Sequence, residues 1–202
     1  MRAYLSLGSN IQPQKNIPAC LKKLKEAFRV RKVSSIYETS PVGPSGPAAR
    51  KGPRPVGKQK FWNLAVEIET RLPRPRLVRA LRRIEYELGR VRSPRRFAPR
   101  PPKSQGCPRA IRRCWRPRPI DIDLVLCRGW SRKGFEGLGF VLIPLAEIAP
   151  LLKPGGFGSP LGALAGTFRA PGQKIQKRKK GTGYFFHDAQ KKKQPVPFFT
   201  PL

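Results

Sequence analysis

Two helical stripes set among alternating, strand-like stretches run in the order β-α-β-β-α-β. That order predicts an α/β (α+β) fold of the ferredoxin-like kind, an antiparallel sheet with helices on one face. Three observations carry the prediction. Residues 61–70 alternate, with Trp62, Leu64, Val66 and Ile68 on one face and Asn63, Ala65, Glu67 and Glu69 on the other. Residues 74–88 place Leu77, Leu81, Ile84 and Leu88 at helical spacing, with Gly89 as the stop. Residues 119–126 alternate again, with Asp121 and Asp123 on one side and Ile120, Ile122, Leu124 and Leu126 on the other.

The remaining elements follow in chain order. Residues 2–7 read as a buried strand that turns at Gly8-Ser9-Asn10. Residues 14–28 put Ile17, Leu21, Leu24 and Phe28 on one stripe, with the lysines at 22, 23 and 25 largely outside it. Residues 30–38 carry a weaker strand pattern and end in the turn-rich Thr39-Ser40-Pro41-Val42-Gly43. Residues 44–60 hold four Pro, three Gly and five Lys or Arg without an acid, which reads as an insertion and not an element. Residues 90–118 carry eleven Lys or Arg and no acid. Phe140 to Pro150 is expected to be a further strand running into a short helix. The aspartate strand is expected to be central, with its acidic face turned away from the helices. These boundaries give one domain over residues 1–168, with insertions at about 44–59 and 101–118. The Lys- and Pro-rich residues 169–202 are expected to form a disordered basic tail.

Composition narrows the function classes. The 202 residues carry 43 Lys or Arg against 11 Asp or Glu, a formal net charge of +32. Such a balance attracts polyanions, whether nucleotides, nucleic acid or acidic surfaces, without choosing among them. No apolar run approaches the roughly 20 residues that span a bilayer, and the first ten residues lack an apolar signal core. A cytoplasmic, non-membrane protein is therefore expected, working as a monomer. Cys107 and Cys114 are separated by six residues with no His nearby, and Cys20 and Cys127 stand apart, so reduced thiols are expected and not zinc.

Against this basic background the pair Asp121 and Asp123 stands out. Two carboxylates side by side on one strand face offer hard oxygen donors suited to Mg²⁺. Their position after a long arginine-rich run suggests metal ions that meet a polyphosphate. By spacing alone an exposed strand face with two solvated carboxylates is the commoner reading.

Six segments stand out in order: Leu7-Gly-Ser-Asn10, Tyr37-Glu-Thr-Ser-Pro-Val-Gly43, Phe61-Trp-Asn-Leu-Ala-Val66, Arg83-Ile-Glu-Tyr-Glu-Leu-Gly-Arg-Val-Arg92, Arg118-Pro-Ile-Asp-Ile-Asp-Leu-Val-Leu126 and Phe140-Val-Leu-Ile-Pro-Leu-Ala-Glu-Ile-Ala-Pro150. Together they resemble the 6-hydroxymethyl-7,8-dihydropterin pyrophosphokinase family. The resemblance covers roughly residues 1–175 outside the two insertions. It implies transfer of diphosphate from ATP to the hydroxymethyl group of the pterin, with release of AMP, in folate biosynthesis. It also implies a ferredoxin-like fold and two Mg²⁺ ions held by Asp121 and Asp123. By the same resemblance Asn63 pairs with the pterin edge, Phe61 and Phe140 sandwich the ring, and Thr39 and Val42 lie on the loop that contacts it, with Trp115 at the substrate as well. Glu85 and Ile122 are placed at ATP, and Arg92, Arg96 and Arg118 at its phosphates, where a guanidinium fork matches phosphate oxygens.

The chain departs from the family pattern in two places. Arg96-Phe-Ala-Pro-Arg-Pro101 and Cys114-Trp-Arg-Pro-Arg-Pro119 both match one family segment, so Arg100 competes with Arg118 and Phe97 with Trp115. The stretch Cys127 to Gly139 lacks the family's histidine, and the chain's one His is His187. Arg128, Arg132 or Lys133 then offers charge in its place. Two other readings stay open: a basic nucleic-acid-binding protein, and a relative that keeps the fold without turnover. The first lacks the RNA-recognition signature around residues 61–62.

Overall fold

A computed structural model describes residues 1–40, 60–90, 118–169 and 175–178. The chain enters on β1 (Arg2–Ser9), whose Ala3, Leu5 and Leu7 are fully buried. Helix α1 (Pro13–Ala27) starts with a proline in its first turn, where no N–H is missed, and buries Ile17, Cys20, Leu21 and Leu24. The weak strand pattern of residues 30–38 resolves into two pieces, β2 (Arg29–Val33) and β3 (Tyr37–Thr39). Both pair antiparallel with β4 (Phe61–Glu69), at opposite ends of it. Ser34 bridges the break: its N–H donates to Ala65 O and its hydroxyl accepts from Ala65 N, each at 2.9 Å. Helix α2 (Arg74–Glu87) buries Leu77, Leu81 and Ile84 as the spacing predicts. Gly89 follows it at φ +85°, a left-handed stop that a side chain would resist.

The aspartate strand is β5 (Asp121–Cys127), followed by the two-residue β6 (Trp130–Ser131). Among the described residues the sheet is antiparallel throughout, in the order β6-β5-β1-β4-β3, with β7 (Ile175–Lys177) outermost and β2 alongside β4. Thus β4 inserts between β1 and the strands that return from α1, the split arrangement expected of a ferredoxin-like sheet. The strand β5 is not central: it lies one place in from the edge, covered only by the short β6. The central position was expected alongside the β-α-β-β-α-β order, whereas the pairing puts β1 and β4 inside the sheet and leaves β5 next to the short β6.

Helices α1 and α2 share one face of the sheet. Their apolar stripes close over Leu5, Leu7, Leu64, Val66, Ile68, Ile122 and Leu124. The opposite face holds a second, smaller layer. Residues expected to start as a strand form instead α3 (Gly139–Ile148), followed by α4 (Leu161–Thr167). The segment Phe-Val-Leu-Ile carries no alternation, and a run apolar on every side suits a buried helix as well as a strand. Here α3 packs Val141, Leu142, Leu145 and Ile148 against Tyr4, Ala65 and Val125. Pro144 within the helix is buried and withholds one backbone donor. This second layer explains why Ala65, placed on a polar face by alternation, is buried.

Candidate active site

Only part of the second face is covered. The layer built on α3 closes over the Tyr4, Ala65 and Val125 end of the strands and leaves the other end open. There the register sets Asp121 beside Gly8 and Asp123 beside Ser6, then Gly8 beside Asn63 and Thr39 beside Phe61. The result is a cleft of about 290 Å³ whose floor is strand backbone and whose rim comes from Arg118, Arg132, Leu138 and Phe140. Eight of the residues named from sequence line it together: Thr39, Phe61, Asn63, Arg118, Asp121, Asp123, Arg132 and Phe140. Their acidic face is indeed the one turned away from α1 and α2.

The two ends of the cleft differ in chemistry. At one end Asn63 is buried and its Nδ2 donates to Thr39 Oγ1 at 2.9 Å, which fixes the amide plane. Gly8 lies between Asn63 and the aspartates, and a β-carbon there would fall 3.1 Å from Asn63 Oδ1. The absence of a side chain keeps that stretch of floor open. Phe61 and Phe140 supply apolar ring surface on the same cleft. Such a pocket, with flat walls and one oriented amide, suits a planar heterocycle.

At the other end Asp121 and Asp123 project from β5. Arg118 and Arg90 both hydrogen-bond to Asp121. Burial works against ionisation of Asp121, but Arg118 and Arg90 outweigh it and hold the carboxyl below its ordinary range. Asp123 is more open and accepts from Arg132 Nη1 at 2.6 Å. The segment that delivers Arg118 is clasped by the first turn of the chain. Arg118 N–H donates to Asn10 Oδ1 at 2.7 Å, and Ser9 Oγ donates to Pro119 O at 2.6 Å. The Leu-Gly-Ser-Asn segment therefore positions the entry to β5.

Glu85 and Ile122 sit beneath this floor, on the helix side. Glu85 is fully buried, pairs with Arg90 and accepts the Ile122 N–H at 2.8 Å. By periodicity Glu85 is a solvated helix charge; the structure makes it the post that ties the end of α2 to β5. Val42, Arg92, Arg96 and Trp115 lie outside the described residues, as do Arg100 and Phe97. Sequence reasoning did not single out Arg90, Ser6, Gly8, Ser40 or Leu138. The signal for Arg90 was its place directly after the Gly89 stop; for Gly8 and Ser6 only strand register reveals it.

The donor set fits Mg²⁺. Among the described residues no cluster of three or more His, Cys, Asp or Glu side chains converges. Two carboxylates are nonetheless what Mg²⁺ takes from protein when phosphate oxygens and water complete its octahedron. Asp121, kept ionised by its arginines, and Asp123, open to the cleft, would hold it. Cys20 and Cys127 are buried free thiols away from this chemistry. No described helix is long and apolar enough to cross a membrane.

Comparison with known proteins points to one family. A family model described as 7,8-dihydro-6-hydroxymethylpterin-pyrophosphokinase matches residues 4–102. The 2-amino-4-hydroxy-6-hydroxymethyldihydropteridine pyrophosphokinase of Bacillus subtilis (strain 168) is 31% identical over 200 residues, covering 92% of this chain and 96% of the relative. The protein of the same description from Methylorubrum extorquens is 34% identical over 168 residues, covering 77% of this chain and 87% of that relative. That of Pseudomonas aeruginosa is 30% identical over 165 residues, covering 75% and 83%.

Proposed function

The chain belongs to the 7,8-dihydro-6-hydroxymethylpterin-pyrophosphokinase family, and on that premise we propose that it transfers the terminal diphosphate of ATP to the hydroxymethyl group of a dihydropterin. The pterin hydroxyl oxygen forms a bond to the β-phosphorus, the bond from that phosphorus to the oxygen bridging to the α-phosphate breaks, and AMP leaves. The hydroxyl proton is released. The observation that carries the reading is the shared cleft: an oriented amide and two aromatic rings line it together with two aspartates engaged by three arginines.

Each residue has a defined task. Phe61, Phe140 and Asn63 hold and orient the ring, with Thr39 fixing the Asn63 amide. Asp121 and Asp123 carry the negative charge that would bind two Mg²⁺. Bound there, the ions would neutralise phosphate charge and align the attacking oxygen. Arg118, beside Asp121, and Arg132, beside Asp123, would clamp the polyphosphate. Glu85 holds Arg90 and the Ile122 backbone, so the aspartates project from a rigid strand. In this reading the catalytic unit extends through residue 178, because β7 is part of the sheet, and residues 44–59 and 101–118 are insertions in it.

The test is AMP formation by purified protein with Mg²⁺, measured with ATP and hydroxymethyl-dihydropterin together and with each alone. AMP should form only with both. Asp121→Ala and Asp123→Ala should abolish it and leave a cooperative melting transition. Turnover retained in either variant would rule out its metal role, and no AMP from the intact protein would end the enzyme reading.

A further inference from the structure

Residues 175–178 fall in the stretch expected from composition to be a disordered tail, yet Ile175–Lys177 form the outermost strand of the sheet among the described residues. Their register places Ile175 beside Thr39, Gln176 beside Glu38 and Lys177 beside Tyr37. The Arg178 N–H donates to Ile36 O at 2.9 Å. Strand β3 is only three residues long, and without β7 its outer edge would be unpaired. Such a short strand holds its position poorly when it is bonded on one side alone.

The contacts of β7 reach two walls of the cleft. On the β3 side, Arg178 pairs with Glu38 at 3.0 Å and stacks over the Trp62 ring at 4.1 Å. On the α3 side, Lys177 donates to Glu147 at 2.9 Å. Glu147 also accepts from Ser35 and from the Tyr37 hydroxyl, so one α3 carboxylate gathers the strands at this edge. Ile175 is on the same sheet face as Thr39. A β-carbon at Gly139 would fall 2.6 Å from Ile175 Cδ1 and 2.5 Å from the Phe168 ring. Gly139 therefore lets the start of α3 approach β7 closely, and the next residue is Phe140.

We propose that β7 is a positioning element for the ring-binding half of the cleft: it ties β3, which carries Thr39, to the start of α3, which carries Phe140, and Ile175 sets their spacing. The proposal rests on the pterin reading of that half. It gives residues 175–178 a part in substrate affinity, though none of them lines the cleft.

The experiment uses the full chain with Ile175→Ala, Ile175→Val and Gln176→Pro, the last chosen because proline cannot donate to a strand ladder. Ile175→Ala should raise the KM for the pterin about tenfold while the KM for ATP and kcat stay within about twofold, since a small misplacement of a positioning wall costs affinity for the group it holds. Ile175→Val should restore most of the loss. An unchanged pterin KM in both Ile175→Ala and Gln176→Pro overturns the proposal, and so does a parallel loss for ATP, which would mark general destabilisation. Should the intact protein show no turnover, the pterin reading fails and the tie is judged by hydrogen exchange. Faster exchange at both residues 37–39 and 139–141 in Gln176→Pro then supports it, and a change at one of them or neither overturns it.

Discussion

Arg132 and Asp123 meet at 2.6 Å across the mouth of the cleft, both substantially exposed. An ion pair at that exposure adds little to stability, so its consequence is for ligands. A carboxylate that accepts from a guanidinium must give up that bond to take a cation, and the guanidinium is then released toward the phosphates the cation brings. Arg132→Ala should therefore bind Mg²⁺ alone no more weakly than the intact protein. It should lose about tenfold in affinity for a non-hydrolysable ATP analogue, the scale of one charge-assisted hydrogen bond. Titration calorimetry separates the two, and an unchanged affinity for the analogue would remove Arg132 from phosphate binding. At this scale the site was partly legible. Asp121 and Asp123 could be named because paired carboxylates stand out on an apolar strand in so basic a chain, whereas Asn63 and Thr39 were named through the family resemblance. Glu85 could not, since helical periodicity marks a residue just off the stripe as solvated and says nothing of a strand end that buries it. Arg90 was lost among the eleven cations of residues 90–118.

Among the elements, α3 is tied to the β3 and β7 edge of the sheet largely by the carboxylate of Glu147. Glu147 accepts from the Ser35 N–H and hydroxyl, the Tyr37 hydroxyl and Lys177 Nζ. Its burial opposes the charge, but these donors outweigh that and hold the carboxyl below its ordinary value of 4.5. Burial and the neighbouring Glu147 carboxylate in turn push the Tyr37 hydroxyl up. Because the folded-state value is lowered, the stabilisation from Glu147 is complete above pH 4.5 and is lost as pH falls through the lower folded value. Glu147→Gln should melt at a lower temperature than the intact protein at pH 7, and the gap should narrow toward pH 3. A constant gap would mean that the ionised carboxylate is not what joins α3 to the edge. The elements themselves were legible where periodicity was strong, in α1, α2, β4 and β5. They were misread where tertiary packing decides: α3, apolar on all sides, carries no period, and β7 is too short and too basic to register as a strand. The position of β5 near the sheet edge depends on pairing across more than a hundred residues, which local pattern does not encode.

For the whole molecule the dominant quantity is the net charge of +32. Of the 11 acidic residues, Glu85, Asp121 and Asp123 are engaged by Arg90, Arg118 and Arg132 around the cleft. The chain therefore carries a large surplus of cations, and its proposed substrates differ in charge: ATP is a polyanion and the pterin ring is neutral. Fields of this kind concentrate anions and are screened over about 10 Å at 0.1 M salt and about 3 Å at 1 M. The KM for ATP should accordingly rise several-fold between about 0.05 and 0.3 M salt while the KM for the pterin stays nearly flat. Added RNA should act as a competitor of ATP and not of the pterin, with an inhibition that itself fades with salt, because phosphate-backbone binding to a basic surface carries little sequence information. That pattern would assign the excess charge to nucleotide capture by an enzyme. RNA binding that resists salt, survives Asp121→Ala and Asp123→Ala, and leaves both KM values unmoved would assign it instead to a separate nucleic-acid surface.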